Sequence, residues 1–139
     1  MPLERELDLA WHRLDNAKTL LNTAELLLSS VDYKSVANRS YYAIFNAMRA
    51  CLALLGKDYK KHSSVISDFR LNFLKSGKLD KNLSDIITAL FYIRTQSDYN
   101  DHYIISKEEV IKQLKNAELF VQNVENYLSN EYKVINKLY

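Results

Sequence analysis

The sequence predicts an all-α fold, an up-and-down bundle of four or five helices, and three observations predict it. Its 139 residues include only 2 Gly and 1 Pro, the latter at position 2, so the backbone almost nowhere needs a positive φ or a rigid turn. Apolar residues recur at three- and four-residue steps over long stretches, the period of a helix face. Short polar segments separate those stretches, as between antiparallel neighbours in a bundle.

The first helix is expected over about Leu3–Ser29, where Leu3, Leu7, Ala10, Leu14, Ala17, Leu21, Ala24 and Leu28 form a seam for another long helix. Asp32 opens a second, with the stripe Tyr41, Ile44, Phe45, Met48, Leu52 and Leu55, and Gly56 falls where a left-handed cap belongs. Beyond the basic connection Lys57–His62, Ser63 or Ser64 caps a shorter third helix carrying Val65, Ile66, Phe69 and Phe73, which stops at Ser76-Gly77. Asp80 is the expected N-cap of a fourth, with Leu83, Ile86, Ile87, Leu90 and Ile93 inward, and Ser97–Tyr103 reads as polar and turn-prone. Ser106-Lys107-Glu108-Glu109 is a capping box that starts a fifth helix. Its Val110, Leu114, Ala117, Val121, Val124 and Leu128 repeat the rhythm of the first helix, so those two seams are expected to pack together. Residues 1–128 form one domain, and 129–139 a tail or an extension of the last helix.

No apolar run approaches the ~20 residues that span a bilayer, and the N-terminus lacks a basic stretch followed by an apolar block. A cytoplasmic protein without membrane contact is the expectation. Cys51, the sole cysteine, has no partner for an intrachain disulfide and reads as buried filler. The net charge of +2 is unevenly spread. From Lys57 to Lys81 seven cations face three anions, whereas from Glu4 to Asp32 six anions face three cations. Such polarity permits a phosphate-facing side, although a solvated lysine face has the same composition.

Three clusters contain the residue types that chemistry needs. Arg94 to Tyr103 gathers Arg94, Asp98, Tyr99, His102 and Tyr103 behind an apolar helix. On an unbroken helix Arg94, Asp98 and His102 share one face at four-residue steps. Metal-independent RNA cleavage, in which the ribose 2′-hydroxyl attacks the adjacent phosphate, needs a group that titrates near neutrality and a fixed cation. His102 and Arg94 are those types, with Asp98 beside them; the plainer alternative is an Arg94–Asp98 surface pair and an exposed His102. Eight helical residues span ~12 Å, so the two meet at one phosphate only if the helix ends between them or a second subunit contributes. Arg39, Tyr41 and Tyr42 form a second cluster, with Arg39 able to face an anion and the tyrosines able to stack. Lys61 and His62 form the third, ahead of a helix start that attracts phosphate. Two glycines cannot build a phosphate-cradling loop, and neither His-x-x-x-His nor paired Glu-x-x-His occurs, so no metal and no cofactor is expected.

The blocks Asn38-Arg39-Ser40-Tyr41-Tyr42-Ala43-Ile44-Phe45-Asn46-Ala47, Gly56, Lys61-His62-Ser63-Ser64-Val65-Ile66-Ser67-Asp68-Phe69, Phe73, Gly77, and Arg94 with Asp98-Tyr99 resemble the HEPN-domain family in order and over roughly residues 5 to 128. The nearer resemblance is to its small stand-alone bacterial and archaeal branch. That resemblance implies a helical bundle that forms a symmetric dimer, paired with a minimal nucleotidyltransferase as toxin and antitoxin. It implies two activities within the family, metal-independent RNA cleavage and non-catalytic nucleotide or substrate binding. The family's ribonuclease motif, Arg, a polar residue, then His after four to six intervening positions, maps onto Arg94 and His102, between which seven residues (95 through 101) intervene. From the second and third clusters, Arg39, Tyr42, Lys61 and His62 are the RNA- or nucleotide-binding candidates. The tyrosine that the partner modifies in some relatives maps onto Tyr103 or Tyr99.

Overall fold

The computed structural model describes residues 2–136, with side chains through residue 132. Among the described residues there are five α-helices and no strand: α1 (Glu4–Leu28), α2 (Tyr33–Ala53), α3 (His62–Phe69), α4 (Leu83–Tyr99) and α5 (Lys107–Asn136). No helix among them is long and apolar enough to cross a membrane. Residues 137–139, the end of the expected tail, lie outside the described residues; those before them continue α5, which kinks at Tyr132 (φ −127°, ψ 22°).

α2 is the central rod. Along α1, Leu7, Leu14 and Leu21 alternate with Ala10, Ala17 and Ala24, all buried. α2 is buried on several sides and carries five buried alanines, Ala37, Ala43, Ala47, Ala50 and Ala53. Leucines over alanines let two helix axes approach closely, so the main neighbour of α1 is α2. The seams of the first and last helices do meet, as the repeat predicts, but α2 takes the larger share of each. α5 lies mainly on α2 and meets α1 along a narrower strip, where Lys18 Nζ and Glu125 Oε2 pair at 2.7 Å. A seven-residue repeat fixes which face is buried, not which helix covers it. The far end of the core is aromatic, with Phe69 stacked on Phe73 and tilted against Phe120, each pair 5.6 Å between centroids.

Local chemistry sets the boundaries. Glu6 Oε1 reaches back to accept from the Leu3 amide at 2.7 Å, closing the first turn of α1. Asp32 caps α2 through the Ser35 amide (3.3 Å) and hydroxyl (2.7 Å). Gly56 stands at φ +68° and lets the Lys57 amide bond the Leu52 carbonyl at 3.1 Å, which ends α2 as the sequence predicts. The third helix departs from expectation. It starts at His62 with no side-chain cap from Ser63 or Ser64, and past Phe69 it widens into a π-helical turn, Arg70–Lys75. Asp80 does not cap α4 directly. Its carboxylate accepts from the Asn82 amide at 2.9 Å and shapes the turn that leads into the helix at Leu83. α4 then runs through Ser97 to Tyr99 and breaks where Asn100 turns extended (φ −126°, ψ 100°). Only half of the predicted capping box forms on α5: the Glu109 amide donates to Ser106 Oγ at 3.1 Å, while the Glu109 carboxylate accepts from Gln113 instead.

Candidate functional site

Three helices meet at one open end of the α2–α4 contact, and each contributes polar side chains. α2 presents Tyr41 and Tyr42, neighbours in sequence whose rings stand edge to face at 5.2 Å. Tyr41 is wholly buried and Tyr42 partly. His62, the first residue of α3, stacks on Phe45 with ring centroids 4.1 Å apart, and its Nδ1 lies 2.8 Å from the Tyr41 hydroxyl. α4 supplies Arg94. One terminal nitrogen lies 3.4 Å from His62 Nδ1 and the other donates to the Tyr42 hydroxyl at 3.2 Å, while the guanidinium covers both tyrosine rings at 5.2 and 5.5 Å. Arg94 Nε is 3.2 Å from Asp98 Oδ2, one turn further along α4. The alignment makes this a charge contact and not a hydrogen bond, so Nε stays buried without an acceptor.

The electrostatics follow from burial and from Arg94. Burial, reinforced by the Arg94 and Arg49 charges, lowers the His62 pKa below its ordinary 6.5. Burial raises the Tyr41 phenol to about 12 against the pull of Arg94. Both are therefore neutral near pH 7. A guanidinium has only donors, so His62 Nδ1 accepts and the imidazole proton resides on Nε2. The site thus holds a fixed cation, a neutral N–H donor and phenolic hydroxyls in contact.

On its other flank Arg94 borders a cavity of about 340 Å³ between α2 and α4, lined also by Lys34, Asn38, Arg39, Ser97 and Asp98. Arg39 makes one long contact there, 3.4 Å to Asn38 Oδ1, and Ser97 Oγ is buried without a partner. No three His, Cys, Asp or Glu side chains gather into a metal-binding group among the described residues.

The candidate residues therefore divide. Arg94, Asp98, Tyr42 and His62 come together, Arg39 lies on the cavity side of Arg94, and Lys61 is exposed one residue before α3. His102 lies in the turn beyond α4, exposed, with its amide donating to Asn100 Oδ1 at 3.1 Å. Because α4 ends at Tyr99, His102 leaves the face that a continuous helix would give it, and the imidazole against Arg94 within the chain is His62. Tyr99 is 83% exposed, whereas Tyr103 is half-buried and its phenol is raised by burial, with Tyr92 and Glu109 adding to the effect. Lys34 and Ser97 are not among the candidates, because an exposed lysine and a lone serine have no distinguishing pattern in one sequence, and Tyr41, expected as a stacking ring, instead turns its hydroxyl to His62.

Comparison with known proteins places the chain in a family. The family model for the HEPN domain matches residues 10–127. A UPF0332 protein of Thermotoga maritima is 32% identical over 120 residues, covering 86% of this chain and 89% of that protein. A UPF0332 protein of Archaeoglobus fulgidus is 34% identical over 114 residues, 82% of this chain and 90% of that one. A Methanocaldococcus jannaschii protein named "Putative toxin" is 30% identical over 115 residues, 83% of this chain and 78% of its own length. With a family match over most of its length and an all-helical fold, this chain belongs to the HEPN domain family.

Proposed function

We propose that the chain is a toxin-type ribonuclease that cleaves RNA as a homodimer, without a metal or cofactor, and is held in check by a minimal nucleotidyltransferase. The observation that carries this reading is the Arg94 guanidinium held between Tyr42, His62 and Asp98 at an open end of the bundle. Arg94 and the His62 Nε2–H offset the charge that builds on phosphorus as the 2′-hydroxyl attacks. His62 enters the reaction neutral and already holds its proton on Nε2, so it acts as a donor and not as the base. His102, exposed beyond α4, comes from the second subunit; it takes the proton of the attacking 2′-hydroxyl and, as the 2′,3′-cyclic phosphate closes and the P–O5′ bond breaks, returns a proton to the departing 5′-oxygen. Asp98 positions Arg94. Tyr99, the more accessible of the two candidate tyrosines, is the acceptor for modification by the nucleotidyltransferase.

The test is RNA cleavage by the purified chain and by Arg94→Ala and His102→Ala, alone and mixed. Each variant alone is expected to be inactive. Subunit exchange in the mixture restores about a quarter of the wild-type sites, because half of the dimers are hybrids with one intact site each. A wild-type chain that cuts no RNA overturns the reading, and a mixture that stays silent overturns the shared site.

One observation favours a second reading, a non-catalytic subunit that binds RNA or nucleotide. Among the described residues the one imidazole at Arg94 is tied at Nδ1, and each terminal nitrogen of Arg94 already has a protein neighbour. Nucleotide binding without cleavage at any protein concentration selects this alternative.

A further inference from the structure

We propose that the cavity between α2 and α4 seats one phosphate group of a nucleic-acid backbone, beside the phosphate that reaches Arg94 and His62. The inference rests on the reading that nucleic acid is the ligand, and it adds a second point of attachment made by different residues. Lys34 and Arg39 from α2 and Arg94 from α4 line a single space of about 340 Å³, within the range of ligand pockets. Three cations there face one carboxylate, Asp98, which is already set against Arg94 Nε at 3.2 Å. Neither Lys34 nor Arg39 has an ion-pair partner among the described residues. Ser97 Oγ is buried and unpartnered, a state that folded chains seldom carry without a use. Like charges converging on one cavity repel unless an anion stands between them.

The donor set selects the anion. Two guanidinium groups, an ammonium, a hydroxyl and the Asn38 amide offer more donors than the two oxygens of a carboxylate accept, and they match a tetrahedral phosphate. A strand is favoured over a free nucleotide because Arg94 belongs both to this cavity and to the His62 cluster. Successive phosphates of one strand reach both sides of that side chain without a break.

The experiment measures binding and not cleavage. A fluorescent single-stranded RNA with 2′-O-methyl riboses, which removes the attacking hydroxyl, is titrated against the full chain over a range of salt concentrations. Inorganic phosphate and a mononucleotide compete in parallel. Arg39→Gln is expected to weaken strand binding about ten-fold and to lower the slope of log affinity against log salt by about 0.7. Lys34→Gln shifts both in the same direction, and Ser97→Ala weakens binding at unchanged slope. Circular dichroism melting confirms that the variants fold.

Unchanged affinity and slope in both Arg39→Gln and Lys34→Gln overturn the site. Mononucleotide binding that Arg39→Gln abolishes, with strand binding untouched, overturns the strand assignment in favour of a free nucleotide. A chain that binds through Arg39 but never cuts RNA leaves this site standing and removes the ribonuclease reading. A chain that cuts RNA while both variants bind normally does the reverse.

Discussion

Arg13 and Arg94 are both arginines withdrawn from solvent, the first set against Asp58 in the segment that joins α2 to α3 and the second against His62 where α3 begins, and their surroundings differ in one respect. Arg13 is matched by acceptors. It donates to the Arg49 carbonyl and to Asp58 Oδ2, both at 3.2 Å, and Asp58 also takes two bonds from Arg49 at 2.9 and 3.1 Å. These bonds hold the Asp58 carboxyl below its ordinary range, Arg49 contributing most. Arg94 has neutral company in Tyr41, Tyr42 and His62, one acid at charge distance only, and Lys34 and Arg39 nearby. An arginine bonded to a carboxylate and a carbonyl fastens a loop. One surrounded by neutral groups and further cations still attracts an anion.

The sharpest way to break this contrast is to remove each guanidinium in turn. Arg94→Ala is expected to lower RNA cleavage about 10²- to 10³-fold, whereas Arg13→Ala leaves cleavage per folded molecule unchanged; a reversal in a gel-based cleavage assay ends the comparison. Next in size is Gly56→Ala, at the head of the segment that Arg13 fastens. It forces a side chain into φ +68° with its Cβ 2.5 Å from Glu6 Oε2, the carboxylate that closes the first turn of α1. A loss of about 1–2 kcal/mol is expected from the backbone conformation alone, read from the urea midpoint. Gly77→Ala, also left-handed at φ +83° but with nothing within 4 Å, is the control for contact.

Smaller effects separate the two acids. Asp58→Asn leaves Arg13 and Arg49 facing each other and costs about 1 kcal/mol, less than a buried charged hydrogen bond because the carboxylate is half exposed. Asp98→Asn costs only a few tenths, as expected for an i,i+4 helix pair. Equal losses in denaturation curves would erase the distinction. The smallest difference lies in the pH dependence. Asp58 has a depressed folded pKa, so its contribution is complete above 3.8 and fades as pH falls through the folded value. His62 is also depressed, so below about 6.5 the unfolded chain binds the proton more readily and stability declines until the folded value is passed. Thermal melts at stepped pH should show the upper decline in the wild type and not in His62→Asn. Persistence of that decline in the variant would assign it elsewhere.

Most of the scaffold was legible because helix signals are local. The Leu–Ala repeat of α1, Gly56 after α2 and Ser106 before α5 each act within a turn or two of chain. The widening at Arg70–Lys75 left no such mark, and the repeat of α1 named its buried face without naming α2 as the cover. The site was legible in its parts and not in its pairing. His62, Tyr42 and Arg94 each stood out by type, but the contact between His62 and Arg94 joins the starts and ends of different helices, which spacing along one chain does not encode. The four-residue ladder from Arg94 through Asp98 to His102 held for its first step, formed at 3.2 Å, and ended where Asn100 leaves the helix.

Cys51 offers an unplanned instrument. It sits on the central rod with no solvent exposure, and burial pushes its thiol well above the usual range, so the reactive thiolate is absent while the bundle stays closed. A labelling reagent added to the native chain therefore modifies only molecules in which α2 has parted from its neighbours. The speed of that single modification reports how often the whole assembly breathes open, with no dye, tag or engineered probe to disturb it.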